Sequence, residues 1–245
     1  MVEFADDEFI FDKNWLEEFF IRYNREIRLP FSCLVRINLI TEDVAKLLKD
    51  SGCVTVHFGI ETGNEKLRNE LLNKNLKNED IIRGAAILKR FGLKINTFNM
   101  LNIPGETIEN GFETVEINQR IKADYPWCSI IQPFPGTELL DMVVKTNNIQ
   151  SESIIDNLDF YAKSIIEQKD SKKLMNLEKL FYLSVKFPFL NPIIKIVIQL
   201  PPNFIFFLIF IVTFGYRHLR ANRLTMFETI KYNLRHLKNY FQSSK

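Results

Sequence analysis

Cysteine is scarce and scattered in this chain. There are three in 245 residues, Cys33, Cys53 and Cys128, and no two stand at CxxC spacing, so no metal-binding or dithiol motif is written locally. Three unpaired thiols suit a reducing compartment, hence the cytoplasm. No basic stretch followed by a cleavable apolar run opens the sequence, so no signal peptide is expected. A clean membrane span of roughly 20 apolar residues is also missing. Phe204 to Phe214 is apolar, but extending it back through residues 193–200 meets Lys195 and the Pro201-Pro202 pair. That favours a packed or interfacial segment over a span. Net charge is small, +2, yet uneven: residues 216–245 hold seven Lys/Arg against Glu228 alone, a local +6 that leaves −4 on the rest. Such asymmetry points to an anionic partner for the tail. No recognisable nucleic-acid module accompanies the charge, so nucleic acid is set aside.

What is present is a regular beat. Hydrophobic residues make up 46% and charged residues 25% of the chain, enough for a core with an ordinary soluble surface. Val2–Ala5 reads as a strand, followed by a helix capped by Asp12. Phe31–Ile37 is the next strand, then a helix opened by Thr41 and closed by Gly52. Val54–Ile60 is a nearly continuous apolar strand. It is followed by a helix capped by Asn64 and a second from Asn78 to Phe91. Lys94–Leu101 is a strand before the helix Thr107–Ile121, and Cys128–Gln132 a strand before the short helix Thr137–Val144. Strands with consecutive apolar residues are buried on both faces, as parallel strands are. Their alternation with helices predicts a parallel α/β sheet or barrel.

From about Ser151 helical periods take over, in Ile154, Ile155, Leu158 and Tyr161 and again in Leu174, Leu177, Leu180 and Phe181. The chain therefore divides into an α/β part, 1–146, and a helical C-terminal region, 147–245. The latter holds an apolar segment, 193–216, and a basic amphipathic tail with Met226, Phe227, Ile230, Leu234, Leu237 and Phe241 on one face. Segment and tail together, 193–245, fit peripheral contact with anionic lipid at the inner membrane face. The alternative is that both pack on the α/β part and the basic face is merely solvated.

In parallel α/β folds the chemistry sits at the C-terminal ends of the strands. The tips here are Ala5-Asp6-Asp7-Glu8, Arg36-Ile37-Asn38, Gly59-Ile60-Glu61-Thr62, Asn102-Ile103-Pro104-Gly105-Glu106 and Gln132-Pro133-Phe134-Pro135-Gly136. All are polar or rich in Gly and Pro. Asp6 and Asp7 are either a capping turn or carboxylates for an ammonium or hydroxyl, and adjacent strand side chains diverge, so one of the two at most faces a site easily. Glu61 follows a buried run and needs a partner there; a solvent-facing loop Glu is its bland reading. His57 reads as a packed, hydrogen-bonded histidine. Arg36 either pairs with a nearby carboxylate or clamps an anionic group. NIPGET and PFPGTEL each offer backbone groups ahead of a helix, although Pro-Gly marks any turn.

Taken in order, FADDEF, CLVRINLITEDVAKLLKDSGCVTVHFGIETGNE, IPGET and PFPGTEL resemble the radical S-adenosylmethionine superfamily, and within it the branch that also carries a cobalamin-binding domain. The resemblance covers about residues 1–145. It implies a partial (β/α) barrel, of which this chain carries strands two to six, and a CxxxCxxC loop after the first strand that ligates a [4Fe–4S] cluster. S-adenosylmethionine binds the fourth iron, and its reductive cleavage serves methyl transfer or rearrangement. By the same resemblance Asp6 and Asp7 lie near the methionine amino group, and Arg36 meets the methionine carboxylate. Glu61 lies near the ribose or amino group. Asn102, Pro104, Gly105 and Glu106 lie by the adenine, with Gln132 at the last tip. Many relatives carry glycine where this chain has Asn102.

The cysteine motif is absent, so no metal-ligating residue is assigned. The chain is expected to begin after the cluster loop, as a piece of a longer protein or with a partner chain supplying the missing N-terminal half. Alone it is expected to load no cluster and perform no radical chemistry. An uncovered first strand implies poor solubility or oligomerisation. The other readings are a non-catalytic remnant or partner-dependent subunit, and an unrelated α/β barrel enzyme using Asp7 and Glu61 as acid and base. The substrate, a small molecule or a lipid-like one, is not legible.

Overall fold

Asp12 accepts from the backbone N–H groups of Asn14 and Trp15, and so starts α1 (Lys13–Glu26). Thr41 does the same for α2 (Glu42–Asp50), Asn64 for α3 (Glu65–Glu70), and Thr107 and Asn110 form a capping box on α5 (Ile108–Arg120). Each cap satisfies amide donors that the first turn leaves open. With α4 (Asn78–Arg90) and α6 (Glu138–Asn147) these helices alternate with five strands. The strands are β1 (Val2–Phe4), β2 (Phe31–Leu34), β3 (Cys53–Glu61), β4 (Lys94–Leu101) and β5 (Tyr125–Ile130). The computed structural model describes residues 1–6, 9–147 and 166–222.

The five strands form one sheet in the order β1-β2-β3-β4-β5, every pair parallel. Each crossover therefore steps one strand in the same direction. With right-handed connections, the helices of successive units fall on one face, and the sheet curls about the other as part of a barrel. Between sheet and helices lies a core with Val56, Phe58 and Ile60 of β3, Ile95 of β4, and Leu48, Ile81 and Leu88 from the helices. Phe4, Phe9, Phe19, Phe20, Tyr23 and Phe31 build an aromatic cluster between β1, β2 and α1.

Two strands differ from the sequence expectation. β2 stops at Leu34, short of Ile37, because Ile37–Leu39 winds into a 3₁₀ turn seated on α4. There Gly84 leaves room: a Cβ on it would stand 2.6 Å from the Ile37 carbonyl. β5 begins at Tyr125 rather than Cys128 and ends at Ile130 rather than Gln132. Pro126 suggests a break, but β5 is an edge strand among the described residues, where a proline need not donate to a ladder.

The described part of the C-terminal region, residues 166–222, is mostly helical. α7 (Ser171–Lys186) packs on α5 and β5, with Leu174 and Leu177 closing on Gly111, whose lack of a side chain permits the approach. A 3₁₀ turn (Pro188–Leu190) leads to α8 (Asn191–Val197), and α9 (Phe204–Asn222) lies against α7 and β5. The helical period from Ile154 to Tyr161 and the amphipathic tail from Met226 to Phe241 lie outside the described residues.

Candidate cofactor-binding site

Because the strands are parallel, Asp6, Arg36, Glu61, Asn102 and Gln132 all follow strand ends on one edge of the sheet. Asp6 and Arg36 are exposed there; Asp7 lies outside the described residues. Glu61 ends the central strand. The β3–β4 register slips between Gly59 and Glu61, which stands opposite Asn99 with φ +67°. A non-glycine residue held at positive φ beside a bulge is a local cost that functional sites commonly carry.

The Glu61 carboxylate is ion-paired with the Lys74 ammonium. Both groups lie over the bare backbone of Gly59: a Cβ there would run into Glu61 Oε1 and sit 2.6 Å from Lys74 Nζ. Lys74 stands between Asn73 and Asn75, both at positive φ, in the loop joining α3 to α4. Arg68 holds that loop in shape. It is fully buried and donates from Nε to the Leu76 carbonyl (3.0 Å), from Nη1 to Thr62 (2.8 Å) and from Nη2 to Asn78 Oδ1 (2.5 Å). Burial lowers its pKa from the usual value, with Glu65 and Glu61 opposing. The turn between β3 and α3 is latched to α5, where Thr114 Oγ1 accepts from Gly63 N at 2.8 Å. Sequence reasoning missed Arg68 and Lys74. The run Asn73-Lys74-Asn75 was the available signal, since asparagine tolerates left-handed backbone.

The tip after β4 is occupied otherwise. Asn102 is buried with φ +64°, a conformation that glycine and asparagine both reach, so the chain's path survives the exchange of one for the other. Its Nδ2 donates to the Ile166 carbonyl (2.9 Å), and its Oδ1 accepts from Gln168 Nε2 and Ser171 Oγ (both 2.9 Å). Gly105 N donates to Gln168 Oε1 at 2.8 Å. This tip is thus fastened to the start of α7, and Pro104 is half-buried within it. Glu106 is buried, with Oε2 accepting from Ile103 N at 3.1 Å and Oε1 buried without a partner. Burial pushes its carboxyl up to about 8, so at neutral pH it largely keeps its proton. Gln132 is buried beyond β5.

Alternation along the strands turns Ser32, Thr55, His57, Asn96, Phe98 and Trp127 away from the helices, onto the sheet's inner face. Arg217 of α9 reaches this face. Its guanidinium stacks on Trp127 at 4.5 Å and donates to Asn96 Oδ1 at 3.3 Å. Arginine only donates, so the Asn96 amide N–H faces His57 Nδ1, 2.7 Å away. A neutral His57 that accepts there carries its proton on Nε2, which is buried without a partner, as is Ser32 Oγ. Burial, and then the Arg217 charge, push His57 down to about 4.

These residues fit the two expected groups differently. Glu61 already holds an ammonium, which is the chemistry that the amino group of S-adenosylmethionine requires. The thiols do not fit an iron–sulfur cluster, which needs cysteine thiolates. Cys33 and Cys53 neighbour each other on β2 and β3, Cys128 lies on β5, and all three are buried. The Cys53 hydrogen bond and burial raise Cys33, and burial raises Cys128, well above the ordinary thiol value.

A singly wound parallel sheet with polar tips gathered on one edge and helices behind it defines a partial (β/α) barrel. Residues 3–116, a little under half of the chain, match the profile of the Radical SAM superfamily. The chain is 29% identical over 191 residues to an uncharacterized methyltransferase, PH0819, of Pyrococcus horikoshii, covering 76% of this chain and 41% of that protein. In fold it is similar to methylornithine synthase (PylB), with TM-score 0.51 and 15% identity, covering 77% of this chain and 48% of that one. It is also similar to TsrM of Kitasatospora setae, a radical S-adenosylmethionine methyltransferase solved with cobalamin and a [4Fe-4S] cluster. That match has TM-score 0.47 and 23% identity, covering 55% of this chain and 27% of that one. The chain therefore spans less than half the length of each of these proteins.

Proposed function

We propose that this chain carries the S-adenosylmethionine-binding flank of a radical methyltransferase or rearrangement enzyme of the cobalamin-associated branch. The observation that carries the reading is Glu61, a carboxylate at a strained bulge on the tip of the central strand, already paired with an ammonium. In this reading Glu61 holds the amino or ribose group, and Arg36, exposed on the neighbouring tip, meets the methionine carboxylate. The Asn102–Glu106 tip walls the adenine side. Its Asn102 side chain is spent on Gln168 and Ser171, so backbone groups and the protonated Glu106 face the ligand. Cobalamin and an iron–sulfur cluster would supply the methyl carrier and the electron in the whole enzyme. The three buried thiols of this chain do not hold that cluster, so the chain by itself binds the nucleoside without cleaving it.

The test is calorimetric titration of the full chain with S-adenosylmethionine. Saturable binding, weakened about tenfold or more by Glu61→Gln and by Arg36→Met, is expected, since each loses a charge-assisted bond. No saturable heat, or affinity untouched by both substitutions, would overturn the reading. Anaerobic reconstitution with iron and sulfide is expected to load well under four irons per chain; stoichiometric loading would show that Cys33, Cys53 and Cys128 do serve a cluster.

A further inference from the structure

α9 is apolar on two opposite faces. Phe206, Phe210, Arg217 and Ala221 are buried against the domain. On the other side Phe204, Leu208, Val212 and Tyr216, every fourth residue, stand in solvent together with Ile205, and Phe204 is 74% exposed. A helix face in water is normally polar. α8 repeats the pattern: Ile194, and Ile198 just past its end, enter the same buried cluster as Phe206, while Ile196 is 69% exposed. Exposed apolar surface on this scale marks an interaction site.

The occupant follows from charge and anchoring. An 18-residue window of α9, Phe204–Ala221, is long and apolar enough to cross a bilayer by length and composition. Arg217, however, is buried on Trp127 and tied to Asn96, so the C-terminal half is fixed along the sheet and the helix lies flat. The charges around the apolar face are of one sign. Arg220 on α9 is exposed, Lys195 on α8 is exposed with its ammonium 4.8 Å over the Phe112 ring, and the sequence from 223 to 245 adds Arg223, Lys231, Arg235, Lys238 and Lys245 against Glu228. In a two-fold dimer through this face a patch whose charges are all cationic would face itself, cation against cation. A β-strand or domain added at β1 would stand at the opposite edge of the sheet from β5, where α9 packs. An anionic bilayer satisfies both the apolar face and the cations around it.

We propose that the outward face of α8 and α9 docks on an anionic bilayer surface, the helices lying in the interface with the sheet held above it. The proposal does not depend on what the strand tips bind. Flotation of the full chain with phosphatidylglycerol–phosphatidylcholine vesicles tests it, since bound protein rises and aggregate does not. The chain is expected to float with these vesicles, and about tenfold less with phosphatidylcholine alone or at high salt. The exposed pair Leu208→Ser/Val212→Ser is expected to weaken flotation at least about tenfold while leaving the circular dichroism unchanged. Should that variant misfold, Arg223→Gln/Lys231→Gln/Arg235→Gln is expected to weaken flotation by a similar factor. A wild-type chain that stays at the bottom, one that forms dimers through this face and ignores vesicles, or one whose flotation is the same with every folded variant would overturn the proposal.

Discussion

The Lys74 ammonium rests on the Glu61 carboxylate directly above the backbone of Gly59. The pair is partly solvent-accessible, so under the proposed function an incoming ammonium or ribose hydroxyl would compete with Lys74 for one carboxylate. Lys74→Met is therefore expected to raise S-adenosylmethionine affinity several-fold, and Glu61→Gln to lower it, both read by calorimetry. Gly59→Ala places a methyl where the pair sits. It is expected to cost about 1–3 kcal/mol in denaturant unfolding and to weaken binding together with the stability loss.

Glu106 sets an alkaline limit. Its native carboxyl titrates near 8 against an ordinary 4.5. Below 4.5 both folded and unfolded chains are protonated and its contribution is complete. Between 4.5 and 8 the unfolded chain has released the proton that the native state retains, so stability falls as pH rises. Urea unfolding at pH 5 and pH 8 is expected to show this loss in the wild type. Glu106→Gln is expected to reduce it by on the order of 2 kcal/mol. An unchanged difference between the two pH values would remove Glu106 from the account.

His57 works in the opposite direction. Its native value, about 4, lies below the ordinary 6.5. Above 6.5 both states are neutral, and as pH falls from 6.5 toward 4 the unfolded chain takes up a proton that the native state refuses, so stability is lost on acidification. Nitrogen chemical shifts of the ring are expected to show a neutral histidine, protonated on Nε2, down to about pH 4. Burial is the larger cause, so Arg217→Met is expected to raise this midpoint only in part.

Arg68 is predicted to be the most costly single loss in the β3–α4 connection. Arg68→Met leaves the carbonyls of Thr62 and Leu76 without their donors, and each buried unmet group costs about 1–3 kcal/mol. Thermal unfolding should fall accordingly. Hydrogen exchange should rise across residues 62–77, because the loop that presents Lys74 loses its centre.

Much of the fold was legible because its causes are local. Asp12, Thr41, Asn64 and Thr107 cap the helices they precede, and the unbroken apolar run of β3 is what burial of a central strand writes into sequence. Strand tips were legible for the same reason, and Glu61 stood out by following that run. What stayed hidden depends on distant partners or on backbone angles. Asn102 is tied to Gln168, 66 residues on, and Arg217 to Asn96, 121 residues back; no periodicity reports such pairs. The end of β2 moved because Gly84 opens a seat for Ile37, a steric fact of the folded chain. Lys74 was missed because its placement rests on two asparagines at positive φ and on a buried arginine.

The two ends of the sheet are unequal, with α9 packed beside β5 and β1 lying outermost at the other side among the described strands. Two copies of β1 related by a two-fold axis meet head to tail and pair antiparallel. All ladders within the domain run the other way. Self-association at β1 would therefore give one continuous sheet of two half-barrels with their polar rims pointing in opposite directions. Only a strand of different sequence, entering in the same direction as Val2–Phe4, extends the curl and brings a further loop to the rim where Glu61 stands.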